Sequence, residues 1–311
     1  MLIKQLMELY ELIDRSDANG YSVKEFLENT YGAKDITVRT IQGNPGSTDF
    51  IRIRISGIRG KSQGMNAPTI GLLGRLGGLG ARPEVIGMVS DGDGALVALT
   101  IAAKLLDMQQ KGDFLEGDVV VCTHICPDAP TQPHKPVPFM GSPVEMSVVN
   151  QAEVDDELDA ILSCDTTKGN RIINTRGFAI SPTVKEGYIL KVSDDLLDIM
   201  QITTGRMPYV FALSTQDITP YGNDLFHINS ILQPATATKA PVVGVAITTE
   251  VPVPGSASGA SHFVDMELAA RFMLEVAKAF GRGQCQFFDE EEYKKIVTKY
   301  GSMNHLQTLG K

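Results

Sequence analysis

The sequence predicts an α/β fold in which a mixed, mostly parallel sheet is flanked by helices, and three observations carry that prediction. First, residues 84–130 hold an apolar run at 85–89, an acidic Gly-rich turn at 90–94, a helical run at 95–108 and a second apolar run at 118–123, the pattern of one βαβ unit. Second, further apolar runs at 161–164 and 241–249 alternate with helical segments. Third, acids and imidazoles collect just after these runs, at the carboxyl ends of strands, where open α/β sheets place their ligands. In and just after the first unit they are Asp91, Asp93, His124, Cys126, Asp128 and His134.

In chain order, Leu2, Ile3, Leu6, Leu9, Tyr10, Leu12 and Ile13 recur at helical spacing, and the Asn19-Gly20 turn ends that helix. Ser22 followed by Glu25 is a capping-box pattern for a second, short helix to about residue 30. Residues 35–39 and 49–55 alternate apolar and charged positions, which predicts a β-hairpin joined by GNPGST. Arg52, Arg54, Arg59 and Lys61 there are read as a solvated face in preference to an anion site. SGIRGKSQG (56–64) lacks the GxxxxGK[ST] spacing of a phosphate loop, and the Leu/Gly mixture at 67–84 reads as a tightly packed helix rather than a dinucleotide fingerprint. Six prolines at 127–146 exclude a regular helix or central strand and predict a long structured loop. Residues 155–161 look helical and 161–164 strand-like; 177–205 reads as a strand, a hairpin and an acid-capped helix at 193–203. MPYVFALS (207–214), PVVGVAITT (241–249) and a last helix at 264–281 complete the alternation, and 289–311 reads as a mobile charged tail. The expected organisation is one domain: N-terminal helices at 1–34, a core at 35–281 and a tail at 282–311.

With 311 residues, core size is not limiting. The net charge of -9, without a long basic run, argues against nucleic-acid or anionic-membrane partners, whose surfaces reward clustered Lys and Arg. Charges from Lys4 onward break the apolar core that a signal peptide needs, and no apolar window is long enough to span a bilayer, so a cytoplasmic protein is expected. Cys122, Cys126, Cys164 and Cys285 are scattered rather than framed and are expected as thiols. The apolar stretch at 72–79 suits a homo-oligomer contact and buried packing equally well.

If 122–128 runs extended, His124, Cys126 and Asp128 share one side of the strand and present imidazole, thiolate and carboxylate, a metal-binding set. The plainer account makes Cys126 a core residue, His124 a turn cap and Asp128 the opening of the proline loop. Asp91 and Asp93 in SDGDG suit a helix N-terminus, where the dipole favours carboxylates, as well as a site. Asp165, Asp224, His227 and His262 are each, singly, ordinary turn or cap residues. Together they put acids and imidazoles on loops that follow separate strands, which is how α/β enzymes assemble sites.

Several phrases carry a family resemblance: SDGDGALVALTIAAKLL, DVVVCTHICPD, ILSCDTT, YGNDLFHI and the closing VVGVAITTEVPVPGSASGASHFVDMELAARFMLEVAKAF. Their order resembles the co-catalytic zinc exopeptidases of the glutamyl/endoglucanase-like aminopeptidase type, over roughly 51–280 of the chain. The ligand set is altered: ISGI (55–58) stands where that family has its His-x-Asp motif, Ser90 takes the bridging Asp position with Asp91 second, and Cys126 and Pro127 take the Glu-Glu positions. The inserted lid domain of that family is absent as well. The whole chain is also similar to a bacterial and archaeal family of unknown function and of this length, with THICPDAPTQPH and SDGDGA as its most recognisable phrases. The exopeptidase resemblance implies a divalent-metal hydrolase, zinc first, acting on an amide-type bond in a small peptide or amino-acid derivative. It implies Asp91, His124, Asp165 and His262 as ligands, Asp128 as the base, and Asp93, His134 and Asp224 as substrate contacts. The altered motifs leave open an exopeptidase-like protein without catalysis that binds a small ligand or partner. A third reading makes Cys126 a nucleophile with His124 or His134 as its base.

Overall fold

The computed structural model describes residues 1–44, 46–75, 87–127, 129–133, 139–252 and 261–307. Helix α1 (Ile3–Ile13) buries Leu6, Leu9 and Ile13 along one face. Helix α2 (Gly20–Tyr31) starts earlier than its sequence suggests, because Asn19 rather than Ser22 is the cap. Asn19 accepts from Tyr21 and Ser22 N–H, and the Ser22 hydroxyl accepts the Asn19 N–H in return.

The strands are β1 (Ile36–Gln42), β2 (Ser47–Ile55), β3 (Ile70–Gly74), β4 (Val119–Ile125), β5 (Thr131–Gln132), β6 (Phe139–Met140), β7 (Ala160–Thr166), β8 (Gly177–Ile180), β9 (Val184–Lys185), β10 (Tyr188–Ile189) and β11 (Val242–Thr248). Between and after them run α3 (Asp93–Gln110), α4 (Met146–Glu153), α5 (Asp194–Thr204), α6 (Phe263–Gly281) and α7 (Glu290–Tyr300). Nine strands form one mixed sheet in the order β1-β2-β4-β3-β7-β11-β9-β10, with β8 also on β11; β5 and β6 make a separate ribbon. β4, β3, β7 and β11 are mutually parallel, and β1, β2, β8 and β9 run antiparallel to their neighbours. The predicted α/β class, a largely parallel sheet flanked by helices, is therefore what the chain adopts. Within the parallel block β3 is the first strand, with β4 on one side and β7 on the other. Chain order reverses between β3 and β7, which makes their carboxyl ends a topological switch point.

Period-two alternation divides the side chains between two layers. Ile70, Leu72, Val119, Val121, Leu162, Val243 and Val245 join α1, α2, α3 and α6 in the main core. Leu73, Val120, Cys122, Ile161 and Ala246 face the other way, onto Ile231, Leu232 and Phe211. Helix α3 is buried almost all round from Asp93 to Ala103, as a helix trapped beneath other helices must be. Among the described residues, no helix is long and apolar enough to cross a membrane.

Several expectations are corrected. The segment at 67–84 opens as strand β3, not as a helix: all five residues of β3 are buried, and with both faces covered an interior parallel strand shows no alternation. The βαβ unit is thus β3–α3–β4; residues 87–89 form no strand, and 76–86 lie outside the described residues. The helix expected at 155–161 is instead α4, and β7 follows it directly. The stretch 207–214 supplies only a single bridge, Val210 to Ile180. Residues 289–307 are no loose tail. Asp289 caps α7 through the Glu292 N–H, Lys294 pairs with Glu291, and the Tyr188 hydroxyl donates to Gly301 O at 2.5 Å. Their charges are the wet face of a helix. The arginines of β2 are neither bare nor an anion site, since Arg52 pairs with Asp155 and Arg54 with Glu157, each at 2.7 Å.

Candidate functional site

At the switch point, β3 runs out into Arg75, whose N–H donates to Cys164 O on β7 at 2.8 Å. Its side chain is only 1% exposed and forms an ion pair with Glu153, the last residue of α4. The other oxygen of Glu153 meets His124 Nδ1 at 2.7 Å. His124 lies on β4, on the face it shares with its cross-strand partner Phe50, their rings 5.5 Å apart. Burial by itself would raise the Glu153 carboxyl, but Arg75 and His124 outweigh it and hold that carboxyl below its ordinary range. Glu153 is therefore an ionised clamp that fixes an arginine from β3 and an imidazole from β4.

Two further carboxyls behave in the opposite way. Asp165, at the end of β7, accepts the Thr166 N–H at 2.7 Å and the Ser230 hydroxyl at 3.3 Å. Burial pushes it up to about 6, against the opposing pull of Arg75, Thr166, Ser230 and His124. Asp93, the first residue of α3, is fully buried and accepts a hydrogen bond from the Ser261 hydroxyl. Its Oδ2 lies 3.6 Å from the Lys168 ammonium, beyond hydrogen-bond reach. Burial pushes Asp93 up to about 6 as well, with Lys168, Ser261 and His262 opposing. Gly94 sets this geometry. A Cβ there would lie 2.6 Å from Cys164 O and 2.7 Å from Arg75 O, so only a glycine lets the start of α3 rest on the ends of β3 and β7.

The structure brings Asp165, Asp93 and His124 of the expected residues into one electrostatic neighbourhood. Asp165 feels Arg75 and His124, and both aspartates raise the Cys164 thiol after burial itself. Asp91 is buried in the short turn before α3. His262 stands half-exposed at the start of α6, with Nδ1 3.3 Å from Asp265, and it also acts on Asp93. Asp224 is exposed with a left-handed φ of 62°, and among the described residues no hydrogen bond joins it to this group. Asp128 and His134 lie outside the described residues. Cys126 is buried, its Sγ 3.6 Å from Ser47 O, and burial pushes the Cys122 thiol up to about 12.

Among the described residues, no group of three or more His, Cys, Asp or Glu side chains is placed to hold a metal ion. Asp91, His124, Asp165 and His262 do not by themselves form such a group. Arg75, Glu153, Lys168, Ser230 and Ser261 belong to none of the polar clusters that the sequence marks. Arg75 carried one legible signal, a lone charge ending the apolar run TIGLLG; Glu153 and the two serines carried none.

The family described as "Protein of unknown function (DUF1177)" matches residues 39–310, and the chain belongs to that family. No curated protein matches the chain at a significant level. Family membership agrees with the phrases THICPDAPTQPH and SDGDGA, whereas the exopeptidase likeness rests on sequence phrases alone.

Proposed function

We propose that this protein is a hydrolase of an amide-type bond in a small peptide or amino-acid derivative, with its chemistry at the carboxyl ends of β3 and β7. The observation that carries the reading is the pair Asp165 and Asp93. Both are buried at the switch point, and both titrate near 6, where a carboxyl is useful as acid or base at neutral pH. The ionised Asp165 takes a proton from water, whose oxygen bonds to the substrate carbonyl carbon. As the C–N bond breaks, the protonated Asp93 gives the leaving nitrogen its proton. Arg75, fixed by Glu153, supplies positive potential beside the oxygen on which charge develops, and the His124 imidazole is held by the same carboxylate. The substrate class comes from the exopeptidase likeness. A divalent metal, zinc first, is the cofactor which that likeness implies; because the described donors do not fit one, the proposed chemistry runs on the chain's own carboxyls.

The test is hydrolysis of a dipeptide and N-acylated amino-acid panel by the full-length protein between pH 5 and 8, with and without added zinc. Turnover that Asp165→Asn lowers by about 100-fold or more supports the reading, since a positioned acid or base contributes about that much. Equal turnover by wild type and Asp165→Asn removes Asp165 from the chemistry. Absence of turnover from both, with a small molecule raising the melting temperature, replaces the hydrolase by a ligand-binding protein.

A further inference from the structure

A cavity of about 250 Å³ lies against the β1–β2 hairpin beneath the C-terminal turn of α4. Thr37 and Arg39 of β1, Phe50 and Arg52 of β2, and Gln151 and Glu153 of α4 line it. The β1–β2 register explains why four of these meet. Thr37 faces Arg52 and Arg39 faces Phe50, so all four side chains emerge on one side of the hairpin. α4 packs against Phe50 through Val149 and Ala152, and the β1 end of this surface is left open.

The charges do not cancel. Glu153 is matched by Arg75 and His124, and Asp155 by Arg52 at 2.7 Å. Arg39 is exposed and, among the described residues, has no ion pair or hydrogen bond through its side chain. One uncompensated guanidinium therefore stands at the mouth, with Gln151 and Thr37 as further donors and the Phe50 ring as an apolar wall. A cavity of about 250 Å³ suits a small molecule rather than a length of chain. The acids close by disfavour a dianion.

We infer that this cleft is a second ligand site, for a small monocarboxylate with a flat or apolar body, whose carboxylate is held by Arg39. Because Glu153 is at once a wall of the cleft and the clamp on His124 and Arg75, an occupant is in direct contact with the group that positions the switch-point site. The cleft binds no reacting atom in the proposed hydrolysis, so binding and turnover stand or fall separately.

The probe is benzoate, titrated into the full-length protein by calorimetry and by NMR, with benzamide as the uncharged counterpart. The expected result is one benzoate per chain, shifts centred on Phe50 and Gln151, and benzamide weaker by about tenfold or more, the worth of one charge-assisted hydrogen bond. Arg39→Gln should weaken benzoate by about the same factor with an unchanged melting temperature, since the exposed Arg39 loses no partner among the described residues. Benzoate that does not bind at millimolar concentration, binds no better than benzamide, or binds Arg39→Gln as well as wild type overturns the inference.

Discussion

Asp165, the base of the proposed hydrolysis, is held in the fold at the expense of stability once it ionises. Its carboxyl titrates near 6 in the fold and in the ordinary carboxylate range, about 4, when unfolded. Between those values the native chain binds more protons than the unfolded one, so the free energy of unfolding falls as pH rises through that window and levels off above it. The full effect is present below the unfolded value and lost above the folded one, and for this almost wholly buried group it amounts to roughly 3 kcal/mol. Asp165→Asn keeps an acceptor for the Thr166 N–H and the Ser230 hydroxyl but has nothing to ionise. It should therefore be more stable than wild type at pH 8, by about 1 to 3 kcal/mol, and nearly equal to it at pH 4. Urea denaturation at the two pH values measures the difference, and the subtraction cancels every other titrating group, including Asp93. A variant less stable at pH 8 would mean that Arg75 and His124 already compensate the charge. Glu153 is the contrasting case: the Arg75 guanidinium and the His124 imidazole outweigh burial and make its ionised form the stable one, so it can hold other groups in place but cannot shuttle a proton.

At the level of elements, the site depends on how closely α3 sits on β3. A Cβ at Gly74 would meet Gly94 O at 2.5 Å and Ala95 Cα at 2.8 Å, both backbone, whereas one at Gly71 would meet the end of the Leu158 side chain at 2.9 Å, which can turn aside. Gly74→Ala must therefore lift the start of α3, with Asp93 on it. A cost of about 1 to 3 kcal/mol is expected, or roughly 2 to 5 °C in melting temperature for a chain this long, and a fall in the proposed hydrolysis larger than the stability loss explains. Gly71→Ala should shift melting less; equal shifts for the two would show that α3 can adjust. This contact also shows where sequence reading stopped. The helix α3, the strands β4, β7 and β11 and the hairpin of β1 and β2 were legible because each has a clean period or a turn signal. β3 was not, because a strand covered on both faces is uniformly apolar and its glycines mimic helix packing. α7 was not, because an amphipathic surface helix so rich in Glu and Lys has the composition of a tail. Asp93, His124 and Asp165 stood out as polar groups after apolar runs, but Glu153 carries no local signal, because only tertiary packing brings the end of α4 to Arg75 and His124.

For the molecule as a whole, the family match begins at residue 39, after both N-terminal helices, and the core does not respect that boundary. Leu2, Leu6, Leu9 and Ile13 of the first helical segment and Val23 and Leu27 of α2 are each at most 1% exposed, and they pack into the same cluster as Ile53, Leu99 and Val121. Asp14, at the end of α1, accepts the Met88 N–H at 2.8 Å, and Asp49 of β2 accepts the Gly20 N–H at 2.9 Å. The two helices are thus tied both to the segment that leads into the Ser90–Gly92 turn and to the hairpin. Six fully buried aliphatic side chains bring a gross stabilisation of roughly 9 to 18 kcal/mol, as large as the whole net stability of a typical domain, about 5 to 15 kcal/mol. Ordering the helices offsets part of that gain, but their removal also strips the apolar surface of α3 that they cover. Deletion of residues 1–34 should therefore yield a chain that binds a hydrophobic dye, loses near-ultraviolet dichroism and unfolds without a cooperative transition, although it still spans the family segment. A deletion variant that melts cooperatively within a few degrees of the full chain would make the helices an accessory layer, and the core of the fold would then be the sheet with α3 and α6 alone.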